Sequence, residues 1–205
     1  MDIKRLLTTA AIAGAIFGVG LYAGARSASP TPEAKAPDKK AIAEMVRRMS
    51  APATEHRVLA ALAGTFDQRI EYSAGGGAPV IIEGDAEGGW VLGQRFIRLT
   101  ARADAGEELK FESVAYFGFD TAKRKYLAIG LDTGGTYAVF AQGDFDAAQK
   151  RWVLDGESDE PGIGRVPFQF VITLGDNGSW SHEVLFKMPD ADGYSRVAKT
   201  VYTRK

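Results

Sequence analysis

His56-Arg57-Val58-Leu59-Ala60-Ala61-Leu62-Ala63-Gly64-Thr65-Phe66 is the stretch in which the hydrophobic period of the chain changes from helical to extended. Val58, Leu59 and Leu62 recur at helical spacing behind Thr54, a candidate N-cap, and Gly64 stands where a left-handed helix stop is expected. From Thr65 the period becomes two. Phe66, Ile70 and Tyr72 fall on one face, and Thr65, Asp67, Arg69 and Glu71 on the other. The switch marks the entrance to a β domain, and the chain on either side of it has a different character.

Upstream, Met1 to Pro30 has the form of an export signal: Lys4 and Arg5, an uncharged apolar stretch from Leu6 to Ala25, and Ala23-Gly24-Ala25 as a small-residue cleavage site. The uncharged stretch of about twenty residues is also long enough to span a bilayer, so residues 1–25 read either as a cleaved signal peptide or as one retained transmembrane anchor. Both place the bulk of the protein outside the cytoplasmic membrane, in the periplasm or cell envelope, by the positive-inside bias of Lys4 and Arg5. Membrane contact is then expected only through residues 6–25, if they are kept. Residues 26–37, rich in Ser, Pro, Ala and Lys, read as a flexible linker. Asp38 can cap a helix over Lys39 to Met49 whose apolar stripe, Ile42, Met45, Val46 and Met49, is expected to pack into a core. Ser50-Ala51-Pro52 ends it.

Downstream, about ten strands follow: 65–73, 79–86, 90–101, 108–118, 124–131, 136–143, 151–156, 166–174, 179–187 and 196–203. Most spacings are a hairpin's length, and no crossover helix separates any pair, which argues against a parallel sheet and for an antiparallel barrel or sandwich. An internal echo strengthens the meander: Phe119-Asp120-Thr121-Ala122-Lys123-Arg124-Lys125-Tyr126 resembles Phe145-Asp146-Ala147-Ala148-Gln149-Lys150-Arg151-Trp152, two strands later. In an up-and-down arrangement these two turns share one end, and Asp132-Thr133-Gly134-Gly135 turns at the other. Asp176-Asn177-Gly178 is a further hairpin signal. The expected fold is an all-β, antiparallel up-and-down barrel of about ten strands, preceded by two short helices, with residues 38–205 as one domain.

Composition removes several functions. A net charge of -1 and the lack of a basic, aromatic-interleaved run after residue 50 argue against nucleic acid. The chain has no Cys, which excludes disulfides, thiolate zinc sites, a thiol nucleophile and a lipoprotein anchor.

The pattern His56-x-x-Leu59-x-x-Leu62-x-Gly64-x-Phe66 resembles the opening motif of a bacterial family known as domain of unknown function 1579. Later segments agree in order: Leu92-Gly93-Gln94-Arg95-Phe96, Gly118-Phe119-Asp120 with Tyr126, Asp132 with Gly134 and Gly135, and Gly143-Asp144-Phe145-Asp146. The likeness covers residues 54 to 160 best. Phe66 replaces a common Trp, and Gln94 replaces a common second Gly. What the resemblance implies is a lipocalin-like (calycin-like) barrel without an assigned activity. Related small barrels include a haem-binding group with an iron-ligating His near the C-terminus, but Val197-Ala198-Lys199-Thr200-Val201-Tyr202 offers none, so no cofactor is expected.

Chemistry-bearing residues are few. Trp180, His182, Val184 and Phe186 share one strand face, which is apolar and should point inward, whereas Ser181 and Glu183 share the other. Ser181 and His182 therefore form no dyad. Gly178-Ser179-Trp180-Ser181-His182 is no nucleophile elbow. Asp155, Glu157, Asp159 and Glu160 lack the Gly and the Glu that a calcium loop requires and read as a solvated loop. Gly75-Gly76-Gly77 lies between strands and reads as a hairpin tip. No catalytic residue and no metal ligand is expected. The candidate ligand-binding residues are His182, Trp180, Trp152, Tyr126, Phe168 and Phe170, lining a barrel that holds one small apolar or amphipathic molecule. The alternatives are a filled barrel acting as a structural or protein-interaction module of the envelope, and a hydrolase or isomerase using His182. His56, Leu59, Leu62, Gly64, Phe66 and Arg95 are expected to be structural, with Arg95 drawn to carbonyls or to Asp120 or Asp146.

Overall fold

The computed structural model describes residues 38–73, 78–104, 106, 110–160, 162–189 and 191–205. The export signal or anchor, the 26–37 linker and the Gly75-Gly76-Gly77 turn lie outside them. Helix α1 (Lys39–Met49) belongs to one unit, and residues 50–205 form another. Asp38 caps α1 as expected: its Oδ1 accepts the Lys40 N–H at 3.1 Å, and its carbonyl accepts the Ile42 N–H at 3.0 Å. The expected burial of the stripe is not found, since α1 contains no buried residue. No described helix is long and apolar enough to cross a membrane.

The second unit opens with a 3-10 helix, Thr54–Leu62, rather than an α-helix. Thr54 is not its cap. Ala53 occupies the N-cap position, and His56 does the capping by accepting the Ala53 N–H on Nδ1 at 3.0 Å. Nor does Gly64 stop the helix. Ala63 closes it in an extended conformation, and Gly64 begins the first strand at φ 137°, where a Cβ would collide with the Arg204 guanidinium.

Ten strands then follow in strict antiparallel succession: β1 (Gly64–Tyr72), β2 (Val80–Val91), β3 (Phe96–Asp104), β4 (Lys110–Asp120), β5 (Lys125–Asp132), β6 (Val139–Asp146), β7 (Arg151–Glu160), β8 (Gly164–Leu174), β9 (Trp180–Phe186) and β10 (Ser195–Arg204). Each pairs with its neighbour in sequence, and β10 pairs back onto β1, from Phe66 opposite Arg204 to Tyr72 opposite Ala198, which closes the barrel and leaves no free edge. Lys205 bridges Asp67, at 3.0 Å, and Asp85 across β1 and β2 beside this seam.

The echoed turns are built alike and share one end. Asp120 Oδ1 accepts the Ala122 and Lys123 N–H groups, and Asp146 Oδ1 those of Ala148 and Gln149. Each turn finishes on a left-handed basic residue, Arg124 at φ 54° and Lys150 at φ 51°.

Several strand boundaries differ from those expected, β6 for instance running over Val139–Asp146 rather than 136–143, and two of the differences have a plain physical cause. The turn between β2 and β3 lies at Leu92–Arg95, not at Glu87–Gly89, because Gly88 is a packing glycine. It passes so close to the Leu62 carbonyl that a Cβ would overlap it. The acidic run at residues 155–160 is strand, not loop. Gly156 and Ser158 alternate inward while Asp155, Glu157 and Asp159 face outward, and Arg165 on β8 lies 3.6 Å from both Glu157 and Asp159.

Candidate functional site

The barrel has two unlike ends. The 3-10 helix and the turns at 92–95, 121–124, 147–150 and 175–179 lie at one, the helix end. The C-terminal ends of β1, β3, β5, β7 and β9 lie at the other, the far end.

At the helix end the interior is sealed. Leu59 and Leu62 enter it from the helix and meet Phe66, Phe117, Phe119, Tyr126, Trp152 and Trp180, all buried. Trp180 stacks on Tyr202 with ring centroids 3.7 Å apart, while Trp152 lies edge-on to Tyr126 at 5.9 Å and against Phe145 at 4.7 Å. A void of about 10 Å³ remains beside Leu59, Leu62, Trp152 and Leu154, no larger than one water needs.

Polar tethers hold the lid in place. Tyr126 Oη donates to the Glu55 carbonyl at 3.0 Å, and Arg124 pairs with the Glu55 carboxylate at 3.0 Å. Arg204 donates to the Ala63 carbonyl at 2.9 Å and lies over the Phe66 ring. Burial, with the nearby Glu55 charge, raises the Tyr126 pKa, and burial raises that of Tyr202 further, so both stay neutral.

Arg95 belongs to this end and takes carbonyls rather than a carboxylate. Its Nε donates to the Ser50 carbonyl at 2.6 Å, Nη2 to Ser50 Oγ at 2.9 Å, and Nη1 to the Leu92 carbonyl at 2.8 Å. Neither Asp120 nor Asp146 pairs with it, and the Oδ1 atom of each holds its own turn. Arg95 thereby clamps a turn in which Leu92, Gly93 and Gln94 all have positive φ. A surface cleft of about 220 Å³ opens beside the clamp, lined by Pro52, Thr54, His56, Arg57, Trp90 and Gln94.

Toward the far end the same inward face changes character. Phe168 and Phe170 are buried, with rings 4.8 Å apart, and His182 stands edge-on to Phe170 at 4.8 Å. Beyond them Val184, Phe186 and Ala198, with Phe111 and Ser113 on β4, are only half-buried although they lie on the inward face. Tyr72 and Val80, paired on that face at the mouth, are 48% and 53% exposed. Large exposed apolar side chains outside the barrel face crowd the same end: Leu131, Tyr137, Phe140, Ile163, Met188 and Tyr194.

The six candidate residues therefore fall into two groups. Tyr126, Trp152 and Trp180 sit in the sealed half. Phe168, Phe170 and His182 lie where the sealed half gives way to the open one. Val184 and Phe186, read from the sequence as inward-facing, join the second group, and so does Ala198, which the sequence did not mark because so small a residue does not announce a lining role. Gln68 and Thr200 are further buried polar groups of the inward face, and Gln68 Nε2 donates to the Arg102 carbonyl at 3.0 Å.

His182 Nε2 is buried and has no hydrogen-bond partner among the described residues. Its inward neighbours are Ile172 and Thr200 across the sheet and Trp180 and Val184 along the strand, none of them acidic. Burial pushes its pKa down to about 4 against the weak opposing pull of Glu183, which points the other way. The imidazole is thus neutral at physiological pH and is a hydrogen-bonding group rather than a charge. Ser181 pairs with Thr173 and Val201 on the outer face, as the alternation requires. Among the described residues no three His, Cys, Asp or Glu converge as metal ligands.

No curated protein matches the chain. Among solved structures, the crystal structure of Rv2717c from M. tuberculosis aligns with a TM-score of 0.54 at 14% identity, over 75% of this chain and 99% of that one, a likeness of fold. The model of the family described as protein of unknown function (DUF1579) matches residues 51–204, from the segment that Arg95 clamps to the residue that closes the barrel, and the chain belongs to that family.

Proposed function

We propose that the barrel binds one small apolar or amphipathic molecule in its far half, in the manner of a lipocalin-like carrier. The observation that carries this reading is the concentration of solvent-accessible apolar side chains at one end of the barrel, on both the inward face and the rim. A monomeric soluble protein rarely leaves such a patch without use. Phe168, Phe170 and Phe186 supply apolar contact, and the unpartnered His182 Nε2 supplies one hydrogen bond for a polar group on the ligand. The uncharged stretch Leu6 to Ala25 behind Lys4 and Arg5 supports an exported setting in the cell envelope.

Native mass spectrometry of the full chain purified from its own source tests the proposal. A co-purifying molecule in one-to-one ratio, displaced by a saturable apolar probe, is the expected result. The competing reading is a structural or interaction module with a filled core, and the sealed helix end favours it. Absence of any adduct, together with no saturable probe uptake, would put that reading in its place.

A further inference from the structure

Helix α1 carries an apolar face that is largely exposed. Met45, Val46 and Met49 are 38%, 49% and 61% exposed, and with Ile42 they form one stripe at helical spacing. The rest of the helix is strongly basic. Lys39 and Arg48 fall on the two flanks of the stripe, and Lys40 and Arg47 on the opposite face, against a single acid, Glu44, which pairs with Arg47 at 3.2 Å. An apolar stripe flanked by long cationic side chains matches one kind of surface: hydrocarbon reached through a layer of negative headgroups. A core-packing helix has no need of the flanking cations, and a helix that dimerises through its stripe would bring them together with like charge.

We propose that α1 lies in the plane of an anionic phospholipid bilayer, with Ile42, Met45, Val46 and Met49 in the headgroup–acyl boundary and Lys39, Lys40, Arg47 and Arg48 among the phosphates. Eleven residues are too few to span, and the stripe is too small to hold alone, so binding requires both contributions and weakens with salt. In sequence, the twelve residues 26–37, which read as a linker, separate α1 from the apolar stretch that reads as a signal or anchor.

The chain has no Cys, so a single dye reports one position in the full chain. Val46→Cys places an environment-sensitive fluorophore on the stripe, and Glu44→Cys places it on the polar face of the same helix. With vesicles of mixed phosphatidylglycerol and phosphatidylcholine, the label at 46 is expected to shift to the blue and the label at 44 to stay unchanged. Replacing Lys39, Lys40, Arg47 and Arg48 by Gln should weaken the partitioning by roughly tenfold or more. An inserted segment 6–25 would bring both labels to the surface alike, so it is the difference between the two labels that reports how α1 itself lies. An equal shift at both positions, a shift with pure phosphatidylcholine that salt leaves unchanged, or a lipid-free shift that grows with protein concentration would overturn the proposal, the last by showing a second copy on the stripe.

Discussion

The helix end and the far end are built from the same ten strands and the same inward alternation, yet one is finished and the other is not. At the helix end a separate element, Thr54–Leu62, supplies Leu59 and Leu62 as a stopper, and Tyr126, Arg95 and Arg204 bind its backbone carbonyls or those of its flanks. Polar groups of the lid are thereby satisfied while its apolar face is buried, which is what a stable cap on a barrel requires. No equivalent element covers the far end among the described residues. The difference teaches that the strand pattern alone closes the wall of such a barrel, and that added segments decide which mouth is shut.

Substitutions at the two ends should separate accordingly. Trp152→Ala, in the sealed half, is expected to remove about 3–5 kcal/mol of stability, whereas Phe186→Ala, half-buried in the open half, should remove only about 1 kcal/mol. Equal losses in urea unfolding would mean that both halves are packed alike.

His182, between the two halves, gives the next largest effect, and a pH-dependent one. Its folded pKa of about 4 lies below the ordinary 6.5, so between those values the unfolded chain binds a proton that the folded chain refuses. The stability that depends on a neutral His182 is complete above pH 6.5 and is lost as pH falls toward 4, by as much as about 3 kcal/mol. His182→Phe should flatten that part of the pH–stability profile while carboxylate titrations persist. An unchanged profile would show the imidazole to be in contact with water.

Arg95→Ala should cost about 1–3 kcal/mol, because Ser50 and the Leu92–Arg95 turn lose their common donor. Binding of a probe at the far end should be unaffected in molecules that remain folded. A variant as stable as the parent but unable to bind would make Arg95 a ligand anchor.

Much of the wall was readable in the residues. Asp38 as a cap, the two echoed Asp turns, the Asp176-Asn177-Gly178 hairpin and the inward face of β9 follow from local chemistry, because each depends on neighbours within a few residues. What eluded the sequence depended on partners far along the chain. Gly88 looks like a turn residue until the Leu62 carbonyl is beside it. Gly64 looks like a helix stop until Arg204 arrives from the other terminus. The acid run at 155–160 looks like a loop until β8 lies beside it, with Arg165 across the ladder from Glu157 and Asp159. For the candidate site, aromatic residues drew attention to both halves alike, since composition does not reveal which rings a lid will bury.

The smallest expected effect sharpens the picture of the helix end. Gln94 occupies a left-handed position at φ 63°, and Gln94→Gly should raise stability by about 0.5–1 kcal/mol in thermal unfolding. A loss instead would mean that the Gln94 side chain supports the neighbouring cleft.

The contrast between the ends is tested most directly by titrating an apolar fluorescent probe into the parent and into Val184→Trp, which adds bulk to the open half without touching the lid. Saturable one-to-one binding in the parent, abolished in Val184→Trp at an unchanged melting temperature, is the result expected of an open far half. No saturable binding in the parent, or binding that Val184→Trp leaves intact, would contradict it.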